Sequence, residues 1–162
     1  MSDEIARLFL DHSTTKMKRM AGHVSTCLAL LSQDQVWLRS NENVNSVGNL
    51  VLHLCGNIRQ WVGYGIAGQD DIRHRDAEFA AKDGPKAELA ALFEKTVTDA
   101  VETISNLPTE RLIDRITPQG REVSVLDAIY QATGHLQEHA GQIVFVTKQM
   151  TGRDLAFYKP KP

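Results

Sequence analysis

Two histidines, His135 and His139, stand four residues apart within residues 133–144, which read TGHLQEHAGQIV. On a helix, positions i and i+4 lie one above the other on the same face. Two imidazoles in that relation can bind one metal ion if another element brings a third ligand. His53 is the candidate, at the border of an apolar stripe formed by Val47, Leu50, Val51, Leu54, Ile58, Trp61 and Val62. Imidazole is a common ligand for transition metals, and the cores of helical bundles are where facing helices build such sites. The competing reading is a chance pair at 135 and 139 with a satisfied boundary histidine at 53.

Other chemistries can be tested on the spacing. A di-iron carboxylate bundle needs a Glu three residues before a ligand histidine. Leu50, Ala132 and Leu136 occupy those positions, so that site is excluded. Residues 135–139 also spell H-x-x-E-H, an inverted zinc-peptidase motif in which Glu138 would be the base. That motif needs a further carboxylate from downstream, where only Asp154 lies. Cys55 is two residues from His53, about 200° around the helix, and so falls outside the site. Cys27 reads as a small buried hydrophobe. His12, His23 and His74 have no partner at metal spacing and read as surface or boundary residues. Asn57, at i+4 from His53, and Gln131 and Gln142, within a turn of the other pair, could orient ligands or bound water. Trp61 reads as packing rather than as a substrate platform.

The elements that must position these residues are helices. Ile5, Leu8, Met17, Met20, Val24, Leu28 and Leu31 recur at helical steps and define a first helix over residues 3–31. A looser segment follows, with Trp37 and Leu38 as expected anchors. Asn45-Ser46 offers an N-cap for a second helix, the shortest, which Gly63, Gly65 and Gly68 end. Residues 69–84 are polar and without period. Pro85 suits the first turn of a third helix whose inward stripe is Leu89, Leu92, Phe93, Val97, Val101 and Ile104, and Pro108 stops it. Thr117 to Gly120 favours the turn of a small hairpin. Ser124 caps a fourth helix that closes at Thr151-Gly152, and residues 151–162 form a tail that Phe157 and Tyr158 can pin down.

Four amphipathic helices in 162 residues most simply make an all-α four-helix bundle in a single domain spanning residues 1–162. The connection between the second and third helices is too long for a tight hairpin and permits a crossover that leaves them parallel. The net charge of −2 gives no reason to expect a nucleic-acid surface. No apolar run approaches the roughly 20 residues that span a bilayer. No signal peptide is visible, and two cysteines make no disulfide framework. A cytoplasmic protein with no membrane and no nucleic-acid partner is expected.

The motif NSVGNLVLH over residues 45–53 with Trp61 after it, and HxxxHAGQI over residues 135–143, resemble the signatures of the DinB-like (YfiT-like) superfamily over nearly the whole chain. The resemblance implies an up-down-down-up bundle with a long crossover between the second and third helices. It implies a divalent metal held by His53, His135 and His139, one per chain, with open positions filled by water, and often a homodimer. Characterised enzymes of the superfamily include thiol-dependent S-transferases and a maleylpyruvate isomerase.

Three neutral ligands leave the ion its full charge, so it is a good Lewis acid. A coordinating thiol would be deprotonated, while water in its place would give hydrolysis, so the reacting group is a metal-bound thiolate or water and no catalytic side chain is assigned. The expected function is a thiol-dependent S-transferase acting on small electrophiles, with a low-molecular-weight thiol as cosubstrate. A metal-dependent hydrolase and a non-catalytic metal- or ligand-binding protein are the alternatives. The donor set suits zinc, nickel or iron.

Overall fold

The computed structural model describes residues 3–157. Four long helices dominate: α1 (Asp3–Leu30), α3 (Val47–Ile58), α5 (Lys86–Ser105) and α6 (Val125–Thr151), with two short helices, α2 (Gln33–Trp37) and α4 (Arg75–Ala80), between them. Tyr158, expected to help pin the tail, lies outside the described residues.

On α1 the buried seam is Ala6, Leu10, Ser13, Met17, Met20, Val24 and Cys27, flanked by buried Thr14, His23 and Leu28, and the seam continues to Leu31 just beyond the end of the helix. The seam positions alternate steps of four and three, the heptad spacing of a bundle. Ile5 and Leu8, expected on this stripe, fall off the seam and are exposed. The small Ala6 and polar Ser13 concealed the true register.

Capping boxes fix the starts of three helices: Ser32 with Gln35, Ser46 with Asn49, and Ser124 with Asp127. Each serine accepts from an N3 backbone N–H while the N3 side chain accepts from the serine's own N–H, satisfying two donors that the helix leaves free. α3 runs on as a π-helical turn, Arg59–Tyr64. Pro85 stands just before α5, and Gly152, with φ of 65°, ends α6 in the left-handed conformation. The expected hairpin is present as β1 (Arg115–Ile116) paired antiparallel with β2 (Val123–Ser124).

Named contacts give the direction of each helix. Lys86 at the start of α5 donates to Leu31 O just past the end of α1 (2.7 Å), while Arg7 near the start of α1 donates to Ser105 O at the end of α5 (3.3 Å). The two helices are therefore antiparallel. Trp37 Nε1 donates to Gly84 O (2.8 Å), and the same indole fills the space where a Cβ on Gly48 would stand. The starts of α3 and α5 thus share one end, and these helices run parallel across a long crossover. Phe157, beyond α6, stacks on His23 late in α1 with ring centroids 4.0 Å apart, so α6 runs with α1. The bundle is up-down-down-up, with α5 and α6 each packed against both α1 and α3.

Three expectations are corrected. Leu38 is exposed, because its extended backbone turns the chain away from the core after α2. Leu92 sits at the edge of the α5 stripe and is 36% exposed. His23 is buried beneath Phe157 rather than at the surface, and burial, followed by the charge of Arg19, lowers its pKa. Among the described residues no helix is long and apolar enough to cross a membrane.

Candidate metal centre

The antiparallel packing of α3 on α6 brings His53 opposite His135 and His139. One ligand nitrogen from each of the three falls within 4.8 Å of the others. Nε2 of His53 is 2.9 Å from Nε2 of His135. The rings stand steeply edge to face, with interplanar angles of 72° between His53 and His135, 87° between His53 and His139, and 88° between His135 and His139. Nitrogens bound to one transition metal at about 2.1 Å stand roughly 3 Å apart, so the cluster has the dimensions of a coordination shell.

The outer nitrogens decide which inner ones are free. His53 Nδ1 lies 3.0 Å from Oε2 of Glu78. NH2 of Arg73, which can only donate, lies 3.1 Å from the same nitrogen; with Nδ1 donating to the carboxylate, Nε2 presents its lone pair to the cluster. His139 Nδ1 lies 2.8 Å from Oε1 of Gln142, whose amide can accept or donate according to its orientation. Three imidazoles that converge with one ligand nitrogen each fit a divalent metal. Burial, then the positive charge of His139, His53, Arg73 and Arg75, lowers the pKa of His135 to about 4. That keeps His135 in its neutral, ligating form near neutral pH.

Glu78 lies in the segment that reads as polar and aperiodic. It sits on α4, which the crossover folds back onto α3. Asn49 holds α4 there by donating to the carbonyls of Glu78 (2.9 Å) and Ala81 (2.8 Å). Arg73 donates to both carboxylate oxygens, from Nε to Oε1 at 2.8 Å and from NH2 to Oε2 at 2.9 Å, and its NH1 donates to Gln60 at 3.0 Å. Burial raises the Glu78 pKa, but the hydrogen bonds and charges of Arg73 and His53 outweigh it and hold the carboxyl below its ordinary value. No local signal marked Glu78 in the sequence, since α4 has six residues, too few to show a period.

Gly56 permits this arrangement. A Cβ built there would stand 1.9 Å from Glu78 Oε1 and 2.7 Å from its carboxyl carbon. Glycine inside a helix costs about 1 kcal/mol relative to alanine, and here the absent side chain lets the carboxylate lie flat on α3. Gly56→Ala is expected to leave the helix content intact while lowering metal affinity about tenfold, as for other losses of outer-shell support. A chelator competition titration checks it.

Of the three residues expected to support the ligands, only Gln142 hydrogen-bonds one. Asn57 is buried one turn from His53, and its Oδ1 has no hydrogen-bond partner among the described residues. Glu78 has taken the position at His53 that Asn57 was expected to serve. Gln131 is exposed and bonds no histidine among the described residues, and Glu138 is likewise exposed. Trp61 is buried in the core, and His12 and His74 are exposed. A cavity of about 440 Å³, lined in part by Cys55, Arg59 and Arg73, lies behind Glu78, and none of the three histidines lines it.

The pKa of His135 sets an acid limit on the metal-free protein. Its ordinary value of 6.5 drops to about 4 on folding, so between those values only the unfolded chain takes up this proton. Its contribution to stability is complete above pH 6.5 and is lost as pH falls toward 4. Thermal melts of chelator-treated protein should show midpoints falling across that window, with a smaller fall in His135→Leu.

The chain matches a family described as a protein of unknown function, DUF1572, over residues 4–158. No curated protein matches it. Among solved structures it is similar to a DinB-like protein, YjoA, from Bacillus subtilis, with 18% identity and a TM-score of 0.71 over 93% of this chain and 99% of that one. It is also similar to a conserved protein from Enterococcus faecalis, with 16% identity and a TM-score of 0.76 over 88% of this chain and 97% of that one. The chain belongs to the DUF1572 family, and its fold is that of the DinB-like four-helix bundles.

Proposed function

We propose that the chain is a divalent-metal-dependent transferase that joins a low-molecular-weight thiol to a small electrophile. The observation that carries this reading is the convergence of three imidazoles, with Glu78 and Gln142 against the outer nitrogens of His53 and His139. Zinc, nickel or iron suits the donor set. When bound, the ion supplies Lewis acidity that favours the thiolate form of a thiol near neutral pH.

The protein's own residues hold and orient. Glu78 and Gln142 hold the outer nitrogens of His53 and His139, Arg73 neutralises Glu78, and Phe79 packs at a tilt on His53 with centroids 4.7 Å apart. The thiol must come from outside. Burial pushes the Cys55 thiol up to about 12 and also raises that of Cys27, so neither ionises near neutral pH. In the transfer, the thiol sulfur bonds to the electrophilic carbon, the leaving group departs with its electron pair, and the thiol proton passes to solvent.

The test uses 2-mercaptoethanol and 1-chloro-2,4-dinitrobenzene with metal-free and zinc-loaded protein. Chloride release above background is expected only with zinc, and is expected to vanish in His139→Ala. Turnover by metal-free protein contradicts the reading. Metal-dependent release without thiol favours the hydrolase, and retained metal without any turnover favours a binding protein.

A cytoplasmic homodimer completes the reading. Two free cysteines suit a reducing compartment. Tyr130 and Phe145 are exposed at 72% and 62% on α6, and Ile5 and Leu8 are exposed on α1, which packs against it; association would cover such apolar side chains. Light scattering should give the mass of two chains; the mass of one contradicts the dimer.

A further inference from the structure

Two arginines around α4 spend their donors on structure. Arg73 is committed to Glu78 and Gln60, and Arg39 to Asn49 and the carbonyl of Phe79. Arg75 is different. Among the described residues it makes no hydrogen bond and no ion pair. Its guanidinium lies over the Phe79 ring, 5.0 Å from the centroid, and that ring packs on His53. Arg73 is neutralised by Glu78, which leaves Arg75 as an uncompensated positive charge beside the cluster. A guanidinium stacked on an aromatic ring is held in plane with its edge donors free, a geometry that matches a carboxylate bidentately.

We propose that Arg75 is a specificity-determining residue that binds a carboxylate group of the substrate at the edge of the three-histidine cluster. This rests on the function proposed above and adds the substrate class: one of the two reactants is a carboxylic acid. The carboxylate can belong to the thiol or to the electrophile, and in both cases the same guanidinium receives it. An exposed charge-assisted pair of this kind corresponds to roughly five- to tenfold in affinity.

The experiment titrates zinc-loaded wild type, Arg75→Ala and Arg75→Lys by calorimetry with two matched pairs of probes. One pair is 3-mercaptopropionate against 2-mercaptoethanol, and the other is 4-nitrobenzoate against 4-nitrobenzamide. Zinc content is measured on each sample. Wild type is expected to favour the carboxylate member of one pair by about fivefold or more, and the pair concerned identifies which reactant carries the acid. Arg75→Ala is expected to lose that preference with unchanged zinc content, and Arg75→Lys to keep part of it. Raising the salt from 50 to 500 mM should shrink the wild-type preference, as screening requires. No preference in zinc-loaded wild type, or a preference that survives in Arg75→Ala, overturns the proposal while leaving the metal reading intact. A wild type that takes up no zinc overturns both, and the zinc measurement shows it.

Discussion

Replacing His139 with alanine is expected to abolish tight metal binding and leave the bundle folded. His139 is half-buried on the middle of α6, and its one side-chain hydrogen bond among the described residues, to Gln142, lies on the same helix. No long-range contact that the helix needs is removed, and alanine is the best helix former. Folding stability without metal should change by about 1 kcal/mol or less. Affinity is another matter, because one of three donors disappears. Loss of an outer-shell partner typically costs 10–100-fold, so loss of a ligand should exceed about a hundredfold. The metal-free variant should also tolerate acid better, since His139 is one of the charges that depress the His135 pKa. Circular dichroism with a chelator competition assay separates the two effects.

Glu78→Ala is expected to damage both stability and site. Glu78 and Arg73 form a buried pair, with side chains only 10% and 5% exposed. Removing one partner of such a pair leaves the other charge uncompensated, at a cost of roughly 3–5 kcal/mol. For a domain of this size that corresponds to a fall in the melting midpoint of about 10 °C. His53 also loses the acceptor that fixes its tautomer, so metal affinity should drop about 10–100-fold. Glu78→Gln keeps the volume and an acceptor for Nδ1, and should give a smaller loss of both. If Glu78→Ala melts with the wild type, the pair contributes nothing. If its metal affinity is unchanged, Glu78 does not position His53.

Legibility in the sequence followed the range over which each signal acts. Ser46 and Ser124 read as caps because capping is settled within four residues, and Pro85, Pro108 and Gly152 mark boundaries for the same local reason. His135 and His139 read as a pair because helix geometry alone places them together. His53 joined them through its stripe on a facing helix, which takes only the assumption of a bundle. Glu78 was out of reach: α4 has six residues, too few for a period, and its place over α3 depends on Asn49, Arg73 and Gly56, distant in sequence. On α1 the residue types misled, since Ile5 and Leu8 are apolar yet exposed while Ser13 is polar yet buried. Asn57 shows the limit of the i+4 rule, which brings a residue to the right face without deciding which neighbour takes the hydrogen bond.

The central claim is that His53 on α3 completes a metal site with the histidine pair of α6. Elemental analysis of gently purified protein, with wild type and His53→Ala side by side, tests it most directly. Close to one divalent transition-metal ion per chain is expected in wild type and almost none in a folded His53→Ala protein. No metal in a wild type that also cannot be loaded, or equal metal in both proteins, would contradict it.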